Sequence, residues 1–314
     1  ARYNQETDRY EIKGVIGPDE FQTGYPDADE PGLDNHAYTN LMAVWVWTTA
    51  LGLPGHLPGE RWEELREMLR IDDEELAHWD RLSRRMRLCF HGDGIISQFE
   101  GYGRLEELDW EGYRERYGDI SRLDRILEAE GDTPNRYKAS KQADVLMLFY
   151  LFSTEVLEAL FERLGYPFDP EMIPRTIDHY LRRTTHGSTL SRVVHAWVLA
   201  RSDRRRSWGQ FLQALKSDVA DVQGGTTPEG IHLGAMAGTV DLIQRGYTGI
   251  EVRDGVLWLA PELPEELSRL VLSVRYRGHW LAIEIDGGSM RVAFDKGWSA
   301  PARVCFRGEV YEMR

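Results

Sequence analysis

The chain has 314 residues, 42% hydrophobic and 11% aromatic, enough for one large or two smaller well-cored domains. Its formal net charge of −14 argues against nucleic-acid binding, which needs a basic stripe. Two cysteines far apart, Cys89 and Cys305, argue against a disulfide framework and exclude a cysteine metal site by count.

No signal-peptide pattern opens the sequence, and the apolar run Val145 to Phe152 is too short to span a bilayer. The expectation is a cytoplasmic protein with no membrane or nucleic-acid partner. The basic runs Arg84–Arg87 and Arg201–Arg206 read as solvated helix ends and loops. Ten tryptophans suit sugar stacking, although core filling accounts for most of them.

Up to residue 247 the pattern is helical. Tyr38–Leu53 is a long apolar stretch with Asp34 or Asn35 as its cap. Gly59–Arg70 is amphipathic. Asp72–Cys89 opens acidic and closes basic, matching the helix dipole. Further helices are expected over Trp110–Tyr117, Ile120–Glu130, Lys141–Leu164, Glu171–Arg182, Leu190–Ser202, Ser207–Ala220 and Gly230–Gln244. No repeat of fixed length marks a solenoid, and the spacing does not choose between a bundle and an α/α toroid. From 248 to 314 short alternating runs meet turn pairs such as Asp254-Gly255 and Arg277-Gly278. These are hairpin signals and predict a small antiparallel β domain.

Four segments carry chemistry. In Gly17-Pro18-Asp19-Glu20, proline locks φ and glycine allows close approach. The turn can aim Glu20 as a general acid, with Val15, Ile16 and Phe21 supplying desolvation and Asp19 holding the turn or a sugar hydroxyl. A solvated acidic turn is the alternative. Lys141-Gln142-Ala143-Asp144 is either an ordinary charged first turn or a hydroxyl clamp made by Lys141 and Gln142. Thr184 to Ser191, which includes His186, Gly187, Ser188 and Thr189, can cap a helix or gather an anion at its N-terminus. Thr226 to Gly238 repeats glycine at 230, 234 and 238. That face serves close helix packing, or it lets His232 reach a ligand.

Taken in order with Asp34-Asn35-His36-Ala37-Tyr38-Thr39-Asn40, these motifs resemble glycoside hydrolase family 65, as does the later Trp258–Pro264 link. The resemblance covers about Tyr10 to Phe294. It implies half or more of an (α/α)6 barrel over 1–247, incomplete at its N-terminal side, then a C-terminal β domain over 248–314. It implies that Glu20 is the general acid, that Lys141 and Gln142 bind glucose, and that Ser188 and Thr189 with His232 bind phosphate beside His186 and Gly187. The implied reaction is inverting phosphorolysis of an α-linked glucose disaccharide to β-glucose 1-phosphate. Inorganic phosphate is the co-substrate, and neither metal nor cofactor is needed.

The family's hydrolases need a base carboxylate, for which Asp221 and Glu229 remain. A non-catalytic sugar-binding or scaffold fragment is the third reading. Gln22 and Thr23 stand where the family usually has a histidine, His36 stands where a second asparagine is common, and Pro26–Pro31 adds an acidic loop. A half-barrel would expose apolar helix faces, so a complementary chain or a second copy is the expected partner.

Overall fold

The computed structural model describes residues 1–220, 228, 230–286, 288–294 and 301–313. The chain divides into two compact units, Ala1–Gly187 and Ser188–Arg314. The compositional change near Gly246 therefore falls inside the second unit.

The first unit opens with a hairpin, β1 (Arg2–Asn4) and β2 (Arg9–Glu11), that the sequence pattern did not signal. Helices α1 (Ala37–Gly52), α2 (Gly59–Leu69) and α3 (Asp73–Arg85) follow. A two-residue pair comes next, β3 (Phe90–His91) with β4 (Ile95–Ile96). Then come α4 (Trp110–Tyr117), α5 (Leu123–Ala129), α6 (Asp144–Leu151), α7 (Thr154–Leu164) and α8 (Met172–Leu181). α1 packs against α3 and α6, and α6 packs against α8.

Local chemistry sets these boundaries. Asp72 accepts from the Glu75 N–H, and three acidic residues follow it in the first turn of α3, which closes on Arg84 and Arg85, as the dipole favours. The single helix expected over Lys141–Leu164 is two. Phe152 is extended, and the Ser153 side chain accepts from the Val156 N–H to start α7. A strong N-cap residue thus overrode a continuous apolar pattern. The helix also begins at Asp144, leaving Lys141 and Gln142 in the segment before it. α1 is capped by His36 and not by Asp34 or Asn35. Asn35 is buried in the left-handed region at φ 52° and donates to Glu100 Oε2 (2.8 Å).

The second unit holds α9 (Thr189–Leu199), α10 (Arg204–Lys216) and α11 (Leu233–Asp241), the last continued by a π-helical turn over Leu242–Tyr247. Strands β5 (Glu251–Arg253), β6 (Val256–Leu259), β7 (Arg269–Tyr276), β8 (His279–Asp286), β9 (Ser289–Phe294), β10 (Ala302–Phe306) and β11 (Glu309–Met313) follow. They form two sheets, β11-β10-β6-β5 and β7-β8-β9, around a core that includes Leu257, Leu259, Leu281, Ile283 and Val304. Pairing is antiparallel except between β10 and β6, which run parallel.

The expected turns at Asp254-Gly255 and Arg277-Gly278, and one more at Arg307-Gly308, have positive φ at both residues. That is the conformation a two-residue hairpin turn requires. The glycine face of α11 serves helix packing: a methyl on Gly238 would lie 2.5 Å from Val193 Cγ1.

Two glycines should respond oppositely to alanine. Gly238→Ala collides with the stiff Val193 side chain, and overpacking of about 1–3 kcal/mol exceeds the gain in helix propensity. Gly209, inside α10, has open space around it, so Gly209→Ala should stabilise by about 0.5–1 kcal/mol. Denaturant unfolding of both variants checks the signs.

Candidate active site

The acid turn is built on buried contacts. Gly17 to Glu20 closes with the Glu20 N–H donating to Gly17 O (3.1 Å). Gly17 has no room for a side chain: a β-carbon would sit 2.3 Å from His36 Nε2 and 2.4 Å from Asp144 Oδ2. The Asp19 N–H donates to Asp144 Oδ2 (3.1 Å), and Asp19 Oδ1 accepts the Gln142 N–H (2.6 Å). Asp19, His36 and Asp144 are each at most 1% exposed. The acid turn and the Lys141–Asp144 segment, 125 residues apart in sequence, are one hydrogen-bonded unit.

Burial therefore falls on Asp19 and not on Glu20, which is exposed in the left-handed region at φ 51°. A non-glycine residue there stores strain of order 1–3 kcal/mol that its surroundings must hold. Burial raises the Asp19 carboxyl group well above the usual carboxylate range, and the neighbouring charge of Asp144 adds to the shift. The Gln142 N–H and Lys141 oppose it. The apolar neighbours expected to surround Glu20 lie elsewhere. Ile16 is 45% exposed, and Phe21 packs with Leu108, Tyr113, Leu123 and Leu127. Next to it, Gln22 is buried and donates to the carbonyls of Tyr137 (3.1 Å) and Ala139.

A third motif joins this unit. The Ser140 N–H donates to Arg183 O (2.8 Å) and the Thr185 N–H to Ser140 O (2.8 Å), so Thr184–His186 runs beside the chain entering Lys141. A β-carbon on Gly187 would lie 2.5 Å from Ser121 O and 2.9 Å from Lys141 Cγ. His186, like Glu20, has positive φ, at 61°. Asp19, Glu20, Lys141, Gln142, His186 and Gly187 thus all belong to the first unit.

Ser188, Thr189 and His232 belong to the second. Ser188 caps α9, accepting from the Leu190 N–H (3.3 Å), and Thr189 is the first helical residue. His232 is the N-cap residue of α11. Its Nδ1 lies 2.6 Å from Asp218 Oδ1, and its N–H donates to Asp218 Oδ2 (3.0 Å). The imidazole holds the Asp218 carboxyl group below the usual range. A β-carbon on Gly234 would be 3.4 Å from Leu190 Cδ2, so the starts of α9 and α11 lie together. Helix N-termini carry unpaired N–H groups and favour anions. The possible bases Asp221 and Glu229 lie outside the described residues.

Asp144, His36 and Asp218 received no role from the sequence. The available signal for Asp144 was a carboxylate opening an otherwise apolar helix.

Motif order, helical build and C-terminal strands define a carbohydrate-active catalytic domain followed by a β domain. Residues 1–241 match the glycosyl hydrolase family 65 central catalytic domain, and 250–313 match that family's C-terminal domain. The chain belongs to glycosyl hydrolase family 65. It is 54% identical over its whole length to an uncharacterized glycosyl hydrolase of Mycobacterium tuberculosis, covering 24% of that protein. It is 36% identical, over 90% of its length, to the trehalose 6-phosphate phosphorylase of Lactococcus lactis, covering 35% of it. It is 31% identical, over 95% of its length, to a kojibiose phosphorylase of Caldanaerobacter subterraneus, covering 36% of it. A solved putative kojibiose phosphorylase from the human microbiome superposes over 99% of the chain and 38% of its own, with a TM-score of 0.76 at 21% identity, a likeness of fold. The chain spans little more than a third, or less, of these relatives. No described helix is long and apolar enough to cross a membrane.

The raised Asp19 carboxyl group gives a pH signature. The unfolded chain loses this proton near the ordinary value of 3.8, while the folded state keeps it to higher pH. Ionisation therefore favours the unfolded chain as pH rises from there, and stability falls until the folded value is passed. Asp19→Asn removes that loss and keeps an oxygen for the Gln142 N–H. Its melting temperature, relative to the parent, should rise as pH climbs above the ordinary carboxylate value of 3.8. A constant difference would contradict the assignment.

Proposed function

We propose that this chain carries the acid and phosphate machinery of an inverting phosphorylase of an α-linked glucose disaccharide. One observation supports this above the others. An exposed glutamate at positive φ follows a buried carboxyl group that accepts the Gln142 N–H, next to Lys141. Rigid support beneath an exposed carboxyl group is what a proton donor to a glycosidic oxygen needs.

In this reading Glu20 gives its proton to the glycosidic oxygen. The bond from that oxygen to the anomeric carbon breaks, and a phosphate oxygen bonds to the carbon from the opposite face. The products are β-glucose 1-phosphate and the released sugar. Lys141 and Gln142 orient the glucosyl hydroxyls. His186, Gly187, Ser188, Thr189 and His232 bind phosphate through N–H, hydroxyl and imidazole groups. Phosphate is itself the nucleophile, so no base carboxylate is required. The sequence from Arg182 to Ser202 contains no Asp or Glu, which favours phosphorolysis over the hydrolysis of related enzymes. The named phosphorylase relatives support the same reaction class.

The chain works as part of a larger (α/α)6 barrel, completed by a complementary chain segment or a second copy. α1 is apolar on most of its faces, and within its unit Trp45 and Val46 remain 38% and 52% exposed, whereas an all-round apolar helix belongs in a core. The mass of the natively purified assembly tests this. A lone monomer with full turnover would contradict it.

In that assembly, phosphate-dependent release of glucose 1-phosphate should be assayed from trehalose, kojibiose, nigerose, maltose and trehalose 6-phosphate. Glu20→Gln should lower kcat by about 10²- to 10⁴-fold, the range of general acid catalysis. Unchanged turnover would remove Glu20 from the mechanism.

A further inference from the structure

The contacts beneath the acid turn carry a second conclusion, which rests on Glu20 as the acid. We propose that His36 and Asp144 are positioning residues for Glu20, clamping the Gly17–Glu20 turn to the amino-terminal ends of α1 and α6.

The two ring nitrogens of His36 have separate duties. Nδ1 accepts the Thr39 N–H (3.5 Å) that opens α1. An accepting Nδ1 leaves the ring proton on Nε2 in the neutral imidazole. Nε2 lies 3.2 Å from Asp144 Oδ2, an electrostatic contact outside hydrogen-bond geometry, and that oxygen accepts the Asp19 N–H. Asp144 Oδ2 therefore accepts one donor from the acid turn and faces the imidazole at the cap of α1, at the first residue of α6. Gly17 fits against both side chains only because it lacks a β-carbon.

The Asp144 side chain is fully buried, so each polar contact it loses leaves a desolvated group less well compensated. The turn is thereby held in the conformation that keeps Glu20 at φ 51°. A misplacement of about 1 Å at a reacting group can cost roughly a hundredfold in rate, so this clamp acts on turnover rather than on binding. Asparagine at position 36 could cap α1, but its single short amide cannot also reach Asp144. The imidazole adds the second contact.

Two isosteric replacements separate the duties. The asparagine amide reproduces Nδ1, and the glutamine amide reproduces Nε2. In the native assembly, His36→Asn should keep the cap and release the clamp. Amide hydrogen exchange over residues 17–20 should rise by about tenfold or more, and kcat should fall by about 10- to 100-fold with KM for phosphate within about twofold. Its melting temperature should stay within about a degree or two of the parent. His36→Gln should do the reverse: near-parental exchange and kcat, with a melting temperature lower by a few degrees, roughly the loss of one cap. Parental exchange and kcat in His36→Asn, or identical behaviour of the two variants, would overturn the clamp. Absence of phosphate-dependent turnover in the parent would instead defeat the phosphorylase reading. The exchange comparison would still decide the clamp.

Discussion

The Asp19 side chain is the interaction on which the rest depends. A carboxylate at 1% exposure has lost its hydration, and the protein must supply donors or a proton in place of water. It supplies the Gln142 N–H at 2.6 Å and the field of Lys141, while the Asp19 N–H reaches back to Asp144. Two segments far apart in sequence become one rigid object through these contacts. The residue after Asp19 is then presented to solvent in a conformation it would not otherwise adopt. Glu20 and the Lys141–Gln142 segment share a support, so their separation is fixed by the fold and not by loop entropy.

Part of this was legible in the sequence. The acid turn, the Lys141–Asp144 segment and the loop at His186 were recognisable because their residue types are set by backbone geometry. Only glycine fits at 17 and 187, and proline presets the turn. The Asp-Gly and Arg-Gly hairpins were legible for the same reason, since their positive φ values are local. Other features are set by tertiary contacts that periodicity does not encode. The break at Phe152-Ser153 looked like continuous helix because Val145 to Phe152 is apolar throughout. The cap of α1 was assigned to asparagine or aspartate by propensity, but burial turned Asn35 toward Glu100 and gave the cap to His36. Desolvation was assigned to Glu20 from its apolar neighbours in sequence. Phe21 instead joined a separate core cluster, and the buried carboxylate was one residue earlier.

The residues proposed to bind phosphate rest on a different physical basis. Ser188 and His232 stand at the starts of helices whose first turns lie together in the second unit. There the polar groups that end a helix are also the groups an oxyanion needs. Asp218 orients His232, a carboxylate–imidazole pairing that fixes which ring nitrogen faces outward. The close packing of α11 on α9 is made possible by glycine at 238.

The stereochemistry of the first product tests the account most directly. In the native assembly supplied with disaccharide and excess phosphate, proton and phosphorus NMR should show β-glucose 1-phosphate as the initial product. Phosphate should be consumed one for one and no free glucose should form from the donor half. Free glucose in phosphate-free buffer, or an initial α-phosphate, would contradict it.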